Sequence, residues 1–215
     1  MNKTQLQREA GGPSAEVIDL DEELHEYRRN GVIVPGVTKV IASRGKCDWS
    51  YVDEDIRLHS IKRGQSVHWL TQLEDEGALN YRTVPKGLRG YRKGYRTWKR
   101  HSGFFPIWIE RKFYSHYGFA GTLDRAGSFP AATMYGSGTS GVVDIKTGEI
   151  YDWVRLQLCA YTLAVDPRPA IARTIRRIAL RLKSDGTYRV KEFPMQSWDS
   201  DFAEFMKDLR EMACR

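Results

Sequence analysis

The stretch Gly141-Val142-Val143-Asp144-Ile145-Lys146-Thr147-Gly148 constrains the fold more than any other part of the chain. Strand side chains alternate between two faces, so Asp144 and Lys146 point one way while Val143 and Ile145 enter the core behind them. A carboxylate and an ammonium side by side on an apolar strand have two readings. One is a half-exposed ion pair. The other is a site for metal-assisted hydrolysis, in which the acid holds a cation and the lysine steadies developing charge. Trp153 to Ala164 follows, with Asp152 as its expected N-cap. It is apolar nearly all round, which predicts a buried helix. Gln157 and Tyr161, at i and i+4, share one face as its main polar exceptions.

The preceding chain supplies the layers around that strand. Met1 to Ala15, with Gly11-Gly12-Pro13, predicts a disordered tail, and 16–215 a single domain. Asn30-Gly31 is a hairpin signal between a loosely alternating Glu16–Tyr27 and a short strand at Val32–Val34. Thr38 is the expected cap of a short helix through Ala42. Asp53 to Glu76 predicts a helix, with Ile56, Ile61, Val67, Leu70 and Leu73 at helical spacing, and Gly64 marking a break or a close backbone approach. His68 lies four residues after Gly64 on the same face. Phe104–Tyr117 and Tyr117–Arg125 predict two strands turning at Gly118, with Trp108, Glu110 and Lys112 on one face of the first. Ser128–Ser140, rich in Gly, Ser, Ala and Thr, predicts a loop. Arg173–Lys183 alternates, Ser184-Asp185-Gly186 turns the chain into Thr187–Phe193, and a last helix runs from Trp198 to Met212 with Ser197 as its cap. The expected class is α/β, a central mixed β-sheet flanked by helices.

Charge is distributed unevenly. Between Gly77 and Ile109 there is no acid, but there are Arg82, Lys86, Arg89, Arg92, Lys93, Arg96, Lys99 and Arg100, enough to account for the whole net charge of +7. Tyr81, Tyr91, Tyr95 and Trp98 are interleaved with these cations. Such a stretch is either an amphipathic helix with a core aromatic stripe, or a surface where cations take phosphates and aromatics stack on unpaired bases. Cys47, Cys159 and Cys214 are odd in number and form no Cys-x-x-Cys, so neither a zinc site nor a disulfide framework is indicated, and a reducing, cytoplasmic compartment fits. No secretory signal, membrane-spanning apolar run, solenoid repeat or Gly-x-x-x-x-Gly-Lys-Ser/Thr loop is present in the sequence.

The polar residues on these elements follow the order of a known set of motifs. Arg63-Gly64-Gln65-Ser66-Val67-His68, Ile109-Glu110, Gly121-Thr122-Leu123-Asp124-Arg125, Val143-Asp144-Ile145-Lys146-Thr147-Gly148 and Gln157-Leu158-Cys159-Ala160-Tyr161 together resemble the PD-(D/E)xK nucleases, in their RecB-like and phage-type exonuclease branch. His25-Glu26-Tyr27 with Val34-Pro35-Gly36-Val37-Thr38 resembles an N-terminal signature of phage members. The resemblance covers roughly Glu22 to Val165 and implies a restriction-endonuclease-like core. It also implies roles. Asp124, Asp144, the backbone carbonyl of Ile145 and His68 would ligate the cation, and Glu110 would support the metal or its waters. Lys146 would orient the attacking water, and Gln157 and Tyr161 would position Lys146 or the scissile strand.

Oxygen ligands with one imidazole suit Mg²⁺ or Mn²⁺, as one or two ions. The cysteines do not match the four-cysteine arrangement of iron–sulfur relatives, so no cluster is expected. The resemblance thus implies a DNA exonuclease acting on single-stranded DNA or free ends, with no membrane partner, cytoplasmic, with a phage-encoded protein acting in its host as one case. The stretch Tyr81–Arg100 is expected as one wall of its strand channel. An endonuclease of the same fold, a catalytically silent DNA-binding module and an RNA-processing enzyme are the alternatives.

Overall fold

The computed structural model describes residues 18–21, 24, 26–46, 52–131 and 138–214. The expected N-terminal tail, Cys47 and Gly136-Ser137 lie outside them, as does His25. Asn30 and Gly31 carry φ of 50° and 80°, the positive pair a two-residue hairpin turn requires. They join β2 (Glu26–Arg29) to β3 (Val32–Val34), and β1 (Ile18–Asp21) completes a three-stranded sheet. Arg28 and Arg29 therefore belong to a strand and not to the turn.

The main sheet has five strands in chain order: β4 (Phe105–Ser115), β5 (Phe119–Phe129), β6 (Thr139–Lys146), β7 (Arg176–Leu182) and β8 (Tyr188–Phe193). All neighbours are antiparallel except β6 and β7, which run parallel. Parallel neighbours need a crossover, and the buried helix α4 (Val154–Val165) lies on it, followed by the short α5 (Pro169–Ala172). The expected mixed α/β sheet is what forms. The expected loop from Ser128 to Ser140 is shorter than read, because Ser128 pairs with Ser140 and Phe129 with Thr139. Small polar residues mask strand pairing in a sequence, since the ladder uses backbone groups alone.

Two apolar clusters line the sheet. One joins α1 (Val37–Ala42), α4 and α6 (Trp198–Ala213) to Phe113, Phe119, Leu123 and Val142. The other joins α2 (Glu54–Asp75) and α3 (Arg89–Ser102) to Val143, Ile145, Ile178, Leu180 and Leu182. Val143 and Ile145 thus enter the core as alternation requires. Gly90 lets the α3 backbone sit against the β7–β8 turn, where a Cβ would overlap the Ser184 carbonyl.

The helix starts correct three expected caps. Thr38 lies inside α1, whose N-cap is Gly36. Docking of Pro35-Gly36 on β5, where the Ala120 amide donates to the Pro35 carbonyl at 3.0 Å, fixes that start. Asp152 does not cap α4 but accepts from Arg155 Nε at 2.9 Å. Ser197 is at the α6 N-cap without capping it, because Asp201 and the Pro194 carbonyl take its hydroxyl. Asp53 does cap α2, accepting from the amides of Asp55 and Ile56.

Helix α2 is continuous through Gly64, so no break occurs there. Its apolar spacing also misleads over the first half. Val67 and Leu70 are buried, but Ile56 and Ile61 are exposed. That half of the helix stands beyond the apolar cluster, along a cleft.

Candidate metal centre

Four elements bring polar side chains together in one cleft. Helix α2 supplies His68, β4 Glu110, β5 Asp124, and β6 Asp144 and Lys146. Ligand atoms of His68, Glu110 and Asp124 all lie within 4.8 Å of one another, close enough to hold a metal ion. His68 Nδ1 is 3.4 Å from Glu110 Oε1 and 3.6 Å from Asp124 Oδ2. Its Nε2 lies 2.9 Å from the Ile145 carbonyl, to which it donates. A histidine that ligates through one nitrogen and donates from the other to a carbonyl is held in one tautomer and orientation. The Ile145 amide in turn donates to Asp124 Oδ2 at 2.6 Å.

Glu110 reaches the group from an unusual backbone. Its φ is +44°, and among the described residues only Asn30 is another non-glycine with positive φ. That conformation costs free energy in a non-glycine residue, and the surroundings must over-determine it. Arg125 does so. It is fully buried, and its NH1 donates to Glu110 Oε1 at 2.8 Å and to the Asp124 carbonyl at 2.6 Å. Its Nε donates to Asp75 Oδ2 at 2.7 Å and its NH2 to Thr71 Oγ1 at 3.0 Å. Asp75 also takes Lys99 Nζ at 2.6 Å and the Tyr95 hydroxyl.

The electrostatics follow from crowding acids out of water. Burial works against the His68 imidazolium, but Asp124, Glu110 and Asp144 outweigh it and lift the group to about 9. Burial pushes Asp124 up to about 7, with Asp144 and Glu110 adding to it and His68 and Lys146 opposing. Burial raises Glu110 too, yet His68 and Arg125 hold it below the usual carboxylate range.

A second chain of contacts fixes the lysine. Lys146 Nζ is 3.1 Å and 2.9 Å from the two Asp144 oxygens and donates to Gln157 Oε1 at 3.2 Å. The Gln157 amide nitrogen donates to the Tyr161 hydroxyl at 2.9 Å. A lysine can only donate, so Gln157 must turn its oxygen to Lys146 and its nitrogen to Tyr161. Burial, with Asp124 and Asp144 adding to it, keeps Tyr161 well above its ordinary value, so its hydroxyl stays protonated.

The ligand atoms that cluster are those of His68, Glu110 and Asp124, so Glu110 could itself hold the cation rather than only support it. Asp144 lies outside that group and pairs with Lys146, because the short Asp-x-Lys spacing on one strand face brings the two together. The Ile145 carbonyl accepts from His68. Asp144 nevertheless bears on the metal question. Its Oδ2 is buried and lies 2.9 Å from Lys146 Nζ, with no hydrogen bond to it among the described residues. A carboxylate so buried leans on one ammonium, and a cation in the group would add to that compensation. Two carboxylates and an imidazole thus fit a divalent cation, with the Asp144 carboxylate beside them.

The basic stretch lies elsewhere. Tyr91, Tyr95 and Trp98 are buried in the core cluster under α3 and cannot stack on a base. Acids absent from the stretch come from α2: Glu74 pairs with Arg92 at 2.6 Å and Arg96 at 3.3 Å, and Asp75 with Lys99. Arg89 Nε donates to the Val84 carbonyl, while Arg82, Lys86, Lys93 and Arg100 are exposed. None of these residues lines the two cavities that open onto the cluster, one of about 920 Å³ and one of about 510 Å³. Tyr91, Tyr95 and Trp98 therefore cannot form the expected channel wall, and the exposed cations of the stretch lie outside both cavities.

Arg125, Thr71 and Asp75 went unread as functional residues, although Arg125 sits beside Asp124 in its motif. A charged residue on a strand signals solvent unless its buried partner is known. Among the described residues no helix is long and apolar enough to cross a membrane. The chain matches no protein-family model and no curated protein.

Proposed function

We propose that the protein is a divalent-cation-dependent deoxyribonuclease of the PD-(D/E)xK type, using Mg²⁺ or Mn²⁺. The observation that carries this reading is the juxtaposition of the His68–Glu110–Asp124 group with a lysine held by Asp144 and Gln157 in one cleft. His68, Glu110 and Asp124 would hold the cation, with Asp144 compensated beside them. Bound there, a divalent cation neutralises phosphate charge and makes water a stronger nucleophile at neutral pH.

The chain's own groups supply the remainder. Lys146 meets the developing charge on the phosphate oxygens and orients the attacking water. Gln157, fixed by Tyr161, keeps the ammonium aimed into the cleft. Water adds to phosphorus, the bond to the leaving sugar oxygen breaks, and that oxygen takes up a proton. Oxygen donors with a single imidazole suit Mg²⁺ and favour Mn²⁺ at least equally.

The test is cleavage of end-labelled linear single-stranded, linear duplex and closed circular DNA with Mn²⁺, Mg²⁺ or chelator, beside Asp124→Ala and Lys146→Ala. Metal-dependent loss of the linear substrates alone, absent in both variants, supports an exonuclease. Cutting of circles makes it an endonuclease. Lys146→Ala should lose at least about 100-fold in rate while DNA binding persists. Full cleavage by either variant overturns the proposed centre.

A further inference from the structure

The two cavities at the cluster form one trough. Both are lined by Ile61, Gly64, His68 and Lys146, so they meet over the candidate centre. Each carries an accessible aromatic side chain. Trp69, 65% exposed, lines the larger cavity. Tyr151, 39% exposed, lines the smaller one, where its ring stacks parallel to Trp153 at 6.5 Å and 6°. Cations line both cavities: Lys112 the larger, and Arg63 with Arg57, the latter paired with Glu54, the smaller. Arg63 Nε donates to Thr147 Oγ1 at 3.4 Å, which ties α2 to the chain leaving β6. Exposed Tyr81 lines neither cavity.

Resting on the nuclease reading, we propose that an unpaired DNA strand lies along helix α2, with one base stacked on Trp69 and another on Tyr151, and the scissile phosphate between them over Lys146. Aromatic rings alternating with cations are the chemistry of single-strand binding, because bases offer π-faces and the backbone offers phosphates. In a duplex those faces are already covered by neighbouring base pairs, so the aromatic ends of the trough select an unpaired strand. At 1.5 Å per helical residue, Trp69 to Arg57 spans about 18 Å. That length accommodates about five nucleotides at 3.4 Å each, and fewer when extended. The path replaces the buried aromatics of α3 with accessible ones that flank the chemistry.

Binding can be read without cleavage, by anisotropy of a labelled oligothymidylate in chelator. Trp69→Ala and Tyr151→Ala should each weaken it by about 5- to 100-fold, and Trp69→Phe should restore most of the loss. Unchanged binding in both alanine variants overturns the path. So does a larger loss in Lys93→Glu and Arg100→Glu on α3 than in the aromatic variants. A parallel cleavage assay with Mn²⁺ separates the two claims. Cleavage by a protein whose aromatic variants bind normally removes the path alone. Loss of binding in the variants of a protein that never cleaves keeps the path and removes the nuclease reading. Wild-type protein that binds no single strand removes the path outright.

Discussion

Replacing Arg125 with methionine tests how the strained Glu110 is held. The guanidinium is fully buried and donates to Asp75, Thr71, Glu110 and the Asp124 carbonyl. Burial opposes its charge, and Tyr95, Glu110 and Asp75 more than offset that, so it stays fully protonated. Methionine keeps most of the volume and none of the donors. Removing one partner of a buried ion pair costs about 3–5 kcal/mol. Asp75 would still have Lys99 and Tyr95, which places the loss near the lower end, about 3 kcal/mol. In a chain of this length that lowers Tm by about 6–12 °C. Glu110 would keep only His68, so Mn²⁺ affinity should fall by about 10- to 100-fold, as for other supporting shells of a metal site. Calorimetric melting of the metal-free protein and Mn²⁺ titration well below Tm measure the two effects separately. A Tm change under about 2 °C would refute the energetic argument. A lowered Tm with unchanged Mn²⁺ affinity would refute the link to Glu110.

Gly90→Ala should destabilise by about 1–3 kcal/mol, because a Cβ there meets the Ser184 carbonyl and α3 must lift from the β7–β8 turn; denaturant unfolding checks this. The pH dependence of the metal-free protein has a defined sign. His68 is raised to about 9, so the stability from its charged form is complete below about 6.5 and lost as pH rises through about 9. Asp124, raised to about 7, loses the contribution of its protonated form between about 4 and 7, so the two act in the same direction. Tm of the metal-free protein should therefore fall from pH 5 to pH 9, while Mn²⁺ affinity rises over the same range as bound protons are displaced. Cys159, its thiol pushed up to about 12 by burial, should resist alkylation at pH 8 until the protein unfolds, whereas exposed Cys214 labels in the folded state; peptide mass mapping distinguishes them.

Much of the architecture was legible because it rests on local pattern. The buried helix at Val154–Val165, the strand alternation at β6 and the Asn30-Gly31 turn all follow from side chains within a few residues of each other. The order of His68, Glu110, Asp124, Asp144, Lys146, Gln157 and Tyr161 likewise anticipated a common cleft. Their division of labour was not legible, since only the folded chain shows Glu110 inside the ligand group and Asp144 turned to Lys146. The basic stretch misled in part for a physical reason: Glu74 and Asp75, which pair with Arg92, Arg96 and Lys99, lie on another helix and approach only in three dimensions. Ile56 and Ile61 misled in the opposite way, because helical spacing predicts a face without saying what lies opposite it.

The most direct test is a calorimetric Mn²⁺ titration of the wild-type protein and of Asp124→Asn, with cleavage of a labelled single strand followed over the same metal concentrations. Asparagine can still accept from the Ile145 amide through its side-chain oxygen, so the substitution removes the charge and spares that contact. Cleavage should rise with occupancy of a Mn²⁺ site in the wild type, and Asp124→Asn should lose both together. Equal Mn²⁺ binding by the two proteins, or cleavage indifferent to the metal, would contradict it.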